Sequence, residues 1–173
     1  MFYFTIPPSQ FVRGGFYDGQ LLLKLFRDDG GAPELIDEVP VALAASVPSI
    51  LQVRSDEFGG GMKETTMDLG DLTIPSNRLI NFDVISNATV GITVESLNKG
   101  LLAHEFKGPG IPYDLRVNGS RVSLDAVAME RIEMSAPDGS NFAEIEISLR
   151  QAYSALPAGR YSDRLTITFK ADP

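Results

Sequence analysis

The sequence predicts an all-β protein, an antiparallel β-sandwich, on three observations. Apolar and polar residues alternate along most of the chain, as they do in strands that bury one face. Turn signals rich in Gly, Pro, Asn and Asp separate these segments at the spacing of a sandwich. The helical segments of about 10–15 residues that a parallel α/β fold places between its strands are not evident.

The first well-formed strand is predicted near the N-terminus. Leu21, Leu23 and Leu25 alternate with other residues after the pair Gly14-Gly15, so one face of this strand is apolar. Three roles stay open for it: a strand donated to a sandwich or completing its own, an ordinary strand of this domain, or a disordered remnant.

A turn-rich segment, Asp28-Asp29-Gly30-Gly31-Ala32-Pro33, interrupts the alternation and is the best candidate for a domain boundary. We therefore predict an N-terminal strand segment at 1–30 and a β-sandwich domain at 31–173. The apolar run from 36 to 53 contains Pro40 and Pro48. Because proline cannot donate a ladder hydrogen bond, this run is an edge strand or two short strands.

Two hairpins are predicted in the middle of the chain. The strands around Phe82 and Ile92 alternate on either side of Ser86-Asn87-Ala88, which indicates a hairpin. Asn118-Gly119 is a strong signal for a two-residue hairpin turn. Farther on, residues 139–152 have a helical composition, but the alternation of Ile145, Ile147 and Leu149 favours a strand.

The chain nearly repeats itself. Gly15, Tyr17 and Leu21 match Gly159, Tyr161 and Leu165 without a gap, Leu23 then matches Ile167, and Leu25 matches Phe169. Each copy reads as a turn, a tyrosine and an alternating strand. A strand that normally ends a domain therefore also occurs near the beginning, either as the end of an earlier domain or as a strand supplied to another molecule.

Composition excludes several classes of function. The net charge of -8 and the isoelectric point near 4.6 argue against a nucleic-acid partner, which requires clustered Lys and Arg. The chain has no cysteine, so it has no disulfide and no thiolate metal site. No apolar run is long enough to span a membrane, and no signal peptide is recognisable in this chain.

Catalytic chemistry finds little basis in the sequence. His104 is the single histidine, and the pairs Asp28-Asp29 and Asp56-Glu57 lack the spacing of a calcium loop. We predict no enzyme activity, no catalytic residue, no metal site and no cofactor. For Tyr17 and Tyr161, each placed just after a glycine turn, we predict a hydroxyl bonded to the backbone, as in the corner tyrosines of sandwiches.

The last hairpin resembles the closing motif of the spore coat protein U domain family, secreted pilin-like sandwiches that include subunits of archaic chaperone–usher pili. The resemblance runs from about 46 to 171, although family members usually carry early cysteines. Met67-Asp68-Leu69-Gly70 and Ile111-Pro112-Tyr113-Asp114-Leu115 are similar to two further family segments. The structural motif consists of Gly159, Tyr161, Asp163, Leu165, Ile167 and Phe169.

The resemblance implies an immunoglobulin-like, pilin-like sandwich and a function without catalysis. The chain would be a fimbrial subunit on the bacterial cell surface that assembles by strand donation, with Leu21, Leu23 and Leu25 on the donated strand. Residues 9–26 resemble the end of a preceding similar domain. The implied partners are other pilin-like subunits, a periplasmic chaperone, or further copies of the chain joined by strand exchange.

An adhesive function is the alternative. End loops at 59–63, 98–110 and 137–141 could bind a surface, and the chain could be a monomeric carbohydrate-binding or adhesin module that uses Tyr113, Tyr153 and Phe58. A hydrolase is a third class, for which no nucleophile and base pair is evident.

Overall fold

The computed structural model describes residues 11–58, 64–125, 128–132, 140–149, 151–153 and 155–172, and the described part contains strands and no helix. The strands are β1 (Gly15–Arg27), β2 (Glu34–Val47), β3 (Leu51–Arg54), β4 (Asn77–Ser86), β5 (Thr89–Ser96), β6 (Leu101–His104), β7 (Ile111–Pro112), β8 (Asp114–Val117), β9 (Ser120–Val122), β10 (Ala128–Ile132), β11 (Ser140–Ser148), β12 (Tyr161–Ser162) and β13 (Leu165–Asp172).

The strands form two main sheets that face each other, and every pairing is antiparallel. One sheet has the order β3-β4-β11-β8-β9 and the other has the order β10-β5-β13. A small third sheet, β12-β6-β7, closes one end. The prediction of an all-β antiparallel sandwich is therefore confirmed.

The core lies between the two main sheets and follows the predicted alternation. Phe82 of β4 contacts Phe169 of β13 across the sandwich, with ring centroids 5.1 Å apart. The buried apolar residues of the strands and their connections are Ile80, Phe82, Val84, Val90, Ile92, Val94, Leu102, Ile111, Tyr113, Leu115, Val117, Leu124, Ala143, Ile145, Ile147 and Leu149. The strand predicted at Ile145–Leu149 is confirmed by β11.

Strands β1 and β2 form a separate two-stranded hairpin, which we call the N-terminal hairpin. They pair from Gly15–Val47 to Arg27–Glu34, and the segment 28–33 is the loop that joins them. Pro40 lies opposite Leu22 in this sheet of two strands, so its missing N–H interrupts no central ladder. Among the described core residues, none comes from this hairpin.

One predicted hairpin is wrong and the other is confirmed. Strands β4 and β5 belong to different sheets, so Ser86-Asn87-Ala88 is a corner that carries the chain across the sandwich. All three corner residues are buried, whereas a hairpin loop would be exposed. In contrast, Asn118 and Gly119 join β8 to β9 with φ of 50° and 78°, the positive values of a type I′ turn.

Candidate functional site

The main feature of the sandwich is an open groove between its two sheets, which we call the edge groove. Strand β13 ends one sheet and β3 ends the other, and within the described part of the chain neither has a second neighbour. The groove has a volume of about 2370 Å³. Small-molecule pockets usually measure about 300–1000 Å³, so the edge groove is large enough for an extended segment of chain.

The free edge of β13 leaves backbone groups unpaired beside the groove. Leu97 donates its N–H to the Arg164 carbonyl at 2.9 Å, which fixes the phase of the ladder between β5 and β13. In an antiparallel pair, alternate residues direct both backbone groups to the partner. Leu165, Ile167 and Phe169 therefore direct their N–H and C=O groups away from β5 and toward the open edge.

Both walls of the edge groove carry apolar side chains, and polar and charged residues such as Arg54, Asp68 and Asp163 also line it. Leu165, Ile167 and Phe169 are half-buried and line one side, and Val53 of β3 lines the other. Phe58 adds a ring 5.8 Å from that of Phe82. Further apolar groove residues are Met67, Leu69, Leu72, Ile80, Leu102, Ile111, Ile147 and Leu156.

One end of the groove is fixed by a hydrogen-bond network on Asp163. Its carboxylate accepts the hydroxyl of Tyr113 at 2.6 Å and that of Ser96 at 2.5 Å. It also accepts the backbone N–H groups of Asn98 and Arg164 at 2.9 and 2.8 Å. Burial raises the pKa of the Tyr113 hydroxyl, and the bond to the Asp163 carboxylate adds to the increase.

The two copies of the internal repeat adopt the same local geometry. Tyr161 donates its hydroxyl to the carbonyl four residues earlier, on Pro157, at 3.0 Å. Tyr17 donates likewise to the carbonyl of Arg13 at 2.7 Å. The glycine two residues before each tyrosine has a positive φ, 154° and 146° respectively. The predicted corner hydrogen bonds are therefore present in both copies.

The single histidine, His104, packs against the corner that Tyr161 forms. Its ring lies edge-on to Tyr161 with centroids 4.7 Å apart. Nδ1 of His104 accepts the N–H of Phe106 at 3.2 Å, so Nε2 carries the proton and donates to the carbonyl of Ala158 at 3.3 Å. Within the described ranges, no group of three acidic or histidine side chains is placed to hold a metal ion.

The residues predicted to be donated lie away from the edge groove. Leu21, Leu23 and Leu25 lie on one face of β1, and Leu21 and Leu23 are opposite Val41 and Val39 of β2. Leu25 is 61% exposed and Val39 is 48% exposed. Leu21, Leu23 and Val41 are half-buried, so this face is an apolar surface that is only partly exposed, and its alternation matches that of β13.

The predicted adhesive residues divide into three groups. Tyr113, Tyr153 and Phe58 line the edge groove, and Tyr113 is buried there. Loop 59–63 and residues 137–139 lie outside the described residues, and 140–141 begin β11. Loop 98–110 contains β6 and the His104 corner.

The position of the groove was not predicted, because the sequence does not show which strands lie at the edge of a sheet. The apolar residues Met67, Leu69 and Leu72 are a signal, since they are half-buried against the core without belonging to a strand. They cover part of the groove wall. None of the described residues belongs to a helix that could cross a membrane.

No protein-family model matches the chain, and no curated protein matches it significantly in sequence. Solved structures are similar in fold. One belongs to a study titled as a chaperone–tip adhesin complex vital for synergistic activation of CFA/I fimbriae biogenesis, with 14% identity and a TM-score of 0.54. The match covers 92% of this chain and 54% of that one, so this chain spans about half of its length.

A second similar structure is the CsuC–CsuE chaperone–tip adhesion subunit pre-assembly complex from archaic chaperone–usher Csu pili of Acinetobacter baumannii. It has 12% identity and a TM-score of 0.45, over 95% of this chain and 62% of that one. The first of these matches shows that the chain shares its fold with a chain of a fimbrial chaperone–adhesin complex, and at 14% identity it shows the fold alone. This is consistent with the pilin-like fold that the sequence predicts.

Proposed function

We propose that the chain is a non-enzymatic structural subunit of a bacterial surface fimbria, and that its edge groove accepts a β-strand from a partner. The observation that carries this proposal is the groove between β13 and β3, with apolar side chains on both walls and, among the described strands, no partner on the outer edge of β13. An alternating apolar strand satisfies both, because it pairs with the free edge and places every second side chain between the sheets.

The energetics favour such a strand. Three large apolar side chains buried in the groove stabilise the complex by about 1.5–3 kcal/mol each before the entropy cost of ordering the strand. Each new ladder hydrogen bond adds roughly 0.5–1.5 kcal/mol. The exposed backbone edge of β13 also gives an empty subunit a tendency to aggregate, which a bound strand removes.

The partners we propose are a periplasmic chaperone and other pilin-like subunits, at the bacterial surface or in the periplasm. The titles of the similar structures, which name chaperone–tip adhesin complexes of fimbriae, support this class of partner. Membership of the spore coat protein U family belongs to the same proposal and rests on the closing motif around Tyr161 and Asp163. Adhesion through the end loops would be an additional activity.

We also propose that residues 1–30 derive from the end of a preceding sandwich, and that 31–173 contain the present one. The matched corners at Tyr17 and Tyr161 support this division. Because β1 pairs with β2, the N-terminal hairpin spans the proposed boundary, with β1 before it and β2 after it.

Donation by Leu21, Leu23 and Leu25 into the groove of a second copy is the form of assembly that we propose for this chain alone. It requires β1 to leave β2, because β1 is already paired along its whole length. Strand exchange of this kind would yield a homo-oligomer. A monomeric carbohydrate-binding module, the alternative function, would leave the groove without a bound strand.

A peptide that copies residues 19–27 tests strand acceptance by fluorescence anisotropy. We expect it to bind the intact chain, and Ile167→Asp to weaken binding at least about tenfold, a loss of about 1.4 kcal/mol. Thr168→Asp is the matched control, since this exposed neighbour lies on the outer face of the same strand. Val53→Asp tests the opposite wall if the first variant does not fold. Equal binding to Ile167→Asp and Thr168→Asp would contradict the proposal.

A further inference from the structure

The corner between β4 and β5 connects the N-terminal hairpin to the sandwich through one buried side chain. Asn87 is 4% exposed. Its Nδ2 donates to the carbonyls of Val12 at 3.1 Å and Pro48 at 3.0 Å, and its Oδ1 accepts the N–H of Ile50 at 2.7 Å. Both donor hydrogens of the amide and its acceptor are thus used, and both ends of the hairpin meet at this residue.

Backbone contacts reinforce this junction. Gly14 donates its N–H to the carbonyl of Asn87 at 2.7 Å. A Cβ on Gly14 would lie 2.8 Å from Ser49 Oγ and 3.2 Å from Ser49 Cα, so glycine permits the close approach of the two chain segments at the hairpin base. The base of the hairpin is therefore tightly packed as well as hydrogen-bonded.

The same corner lies at the ends of the two strands that border the groove. Strand β3 begins one residue after Ile50, whose carbonyl accepts the hydroxyl of Ser86 at 2.8 Å. On the other side, Arg13 donates to the hydroxyl of Thr89 at 3.2 Å. Thr89 is paired with Asp172 at the end of β13. The hairpin base thus contacts the start of β3 directly and the end of β13 through Thr89.

We propose that Asn87 is a positioning residue that couples the direction of the N-terminal hairpin to the width of the edge groove. A tilt of the hairpin displaces Val12 and Pro48, and the Asn87 amide transmits this displacement to Ile50 and so to β3. Because coupling between sites is reciprocal, a strand bound in the groove restricts the hairpin in turn. The part that concerns strand binding rests on the proposed function.

Two variants at Asn87 separate its contacts. Asn87→Ala removes all three side-chain bonds but keeps the backbone carbonyl that holds Gly14. Asn87→Asp keeps an acceptor for the N–H of Ile50 and loses the donors to Val12 and Pro48. Asn77→Ala, at the far end of β4 from the corner, is a matched control, because its amide donates to Glu146 Oε1 at 2.7 Å on the exposed side of the sheet.

The experiment measures hairpin and groove independently. The chain has no cysteine, so Gly31→Cys at the hairpin tip and Thr168→Cys on the outer face of β13 accept two spin labels. Double electron–electron resonance gives the spread of distances between them. Hydrogen exchange of the amides from 50 to 54 follows β3, and the peptide that copies residues 19–27 reports on groove affinity.

In the intact protein we expect a narrow distance distribution that narrows further when the peptide is bound. Asn87→Ala should broaden the distribution, speed exchange in β3 and weaken the peptide about tenfold. Asn87→Asp should broaden the distribution while the exchange of Ile50 and the peptide affinity stay close to those of the intact chain.

An unchanged distance distribution in Asn87→Ala would overturn the coupling, and so would a broad distribution with unchanged β3 exchange and affinity. If Asn87→Ala does not fold, Asn87→Asp replaces it as the test. The distribution of distances between its two spin labels must then be broader than in the intact protein. Failure of the intact chain to bind the peptide would count against strand acceptance, and the coupling is then decided by the distances and the β3 exchange.

Discussion

Tyr161 and Tyr17 occupy equivalent corners but support different parts of the molecule. The hydroxyl of Tyr161 joins the turn at Pro157 to β12, the short strand that precedes β13. We expect Tyr161→Phe to lower the free energy of unfolding by about 1 kcal/mol, the usual net contribution of a hydrogen bond. Urea titration measures this change. Tyr17→Phe is the control, and it should leave the unfolding of the sandwich unaffected, because the hairpin contributes no described core residue.

Gly159 and Gly15 form a second matched pair. Both have a positive φ that side chains rarely adopt, but a Cβ at Gly159 would also collide with His104 Nε2, whereas one at Gly15 meets nothing within 4 Å. Gly15→Ala should therefore cost only backbone strain, about 1–3 kcal/mol, and only in the hairpin. Gly159→Ala should cost more, because the His104 ring must move. Equal melting temperatures of the two variants would contradict the predicted collision between a Cβ at position 159 and the His104 ring.

Tyr113 makes the stability depend on alkaline pH. Its folded-state pKa is raised above the ordinary value of 10.0, so folding favours the neutral hydroxyl. The resulting stabilisation is fully present below about pH 10, the unfolded pKa, and is lost as the pH rises toward the folded pKa. We expect the free energy of unfolding to fall more steeply above pH 10 in the intact protein than in Tyr113→Phe. If the free energy of unfolding falls equally steeply above pH 10 in both proteins, Tyr113 does not contribute to the pH dependence.

At the scale of the element, the base of the N-terminal hairpin depends on close approach. Gly14→Ala places a methyl group against the backbone of Ser49, and overpacking of this kind costs about 1–3 kcal/mol. We expect faster exchange of the Gly14 and Ile50 amides, while amides in β11 keep their protection. Gly31→Ala, in the open hairpin loop, provides the control, since a Cβ there meets no atom within 4 Å.

The strands were predictable where alternation decides them. Val90, Ile92 and Val94 alternate and are all buried, and Asn118-Gly119 specifies its turn through two positive φ values. The corner at Asn87 was not predictable, because alternation shows which face of a strand is buried but not which strand lies beside it. A turn of three residues serves equally well for a hairpin and for a crossing between sheets.

At the scale of the whole molecule, the same limit explains what the sequence predicted of the site. The apolar face of Leu165, Ile167 and Phe169 was predictable from its period, whereas the absence of a neighbour beside β13 depends on pairings distant in sequence. The duplication of the Tyr17 and Tyr161 corners was visible in the sequence and is present in the geometry.

The sandwich should not need its hairpin in order to fold. Its described core is formed without a residue from 15–47. We expect replacement of residues 17–45 by a short Gly/Ser linker to change the free energy of unfolding of the sandwich by no more than about 1 kcal/mol, as for changes outside a core. Differential scanning calorimetry measures the change. Loss of the cooperative transition would mean that the hairpin is part of the folding unit.

The empty place beside β13 has a consequence for symmetry. A groove on one part of a chain and an alternating strand on another are different surfaces, so a contact between them is heterologous and leaves one of each surface free on the pair. Such contacts do not close on themselves unless the rotation happens to form a ring, and otherwise they generate an open, polar filament. Under the proposed strand donation, a subunit would add at a defined end, and the filament would stop growing when it met a molecule that lacks one of the two surfaces.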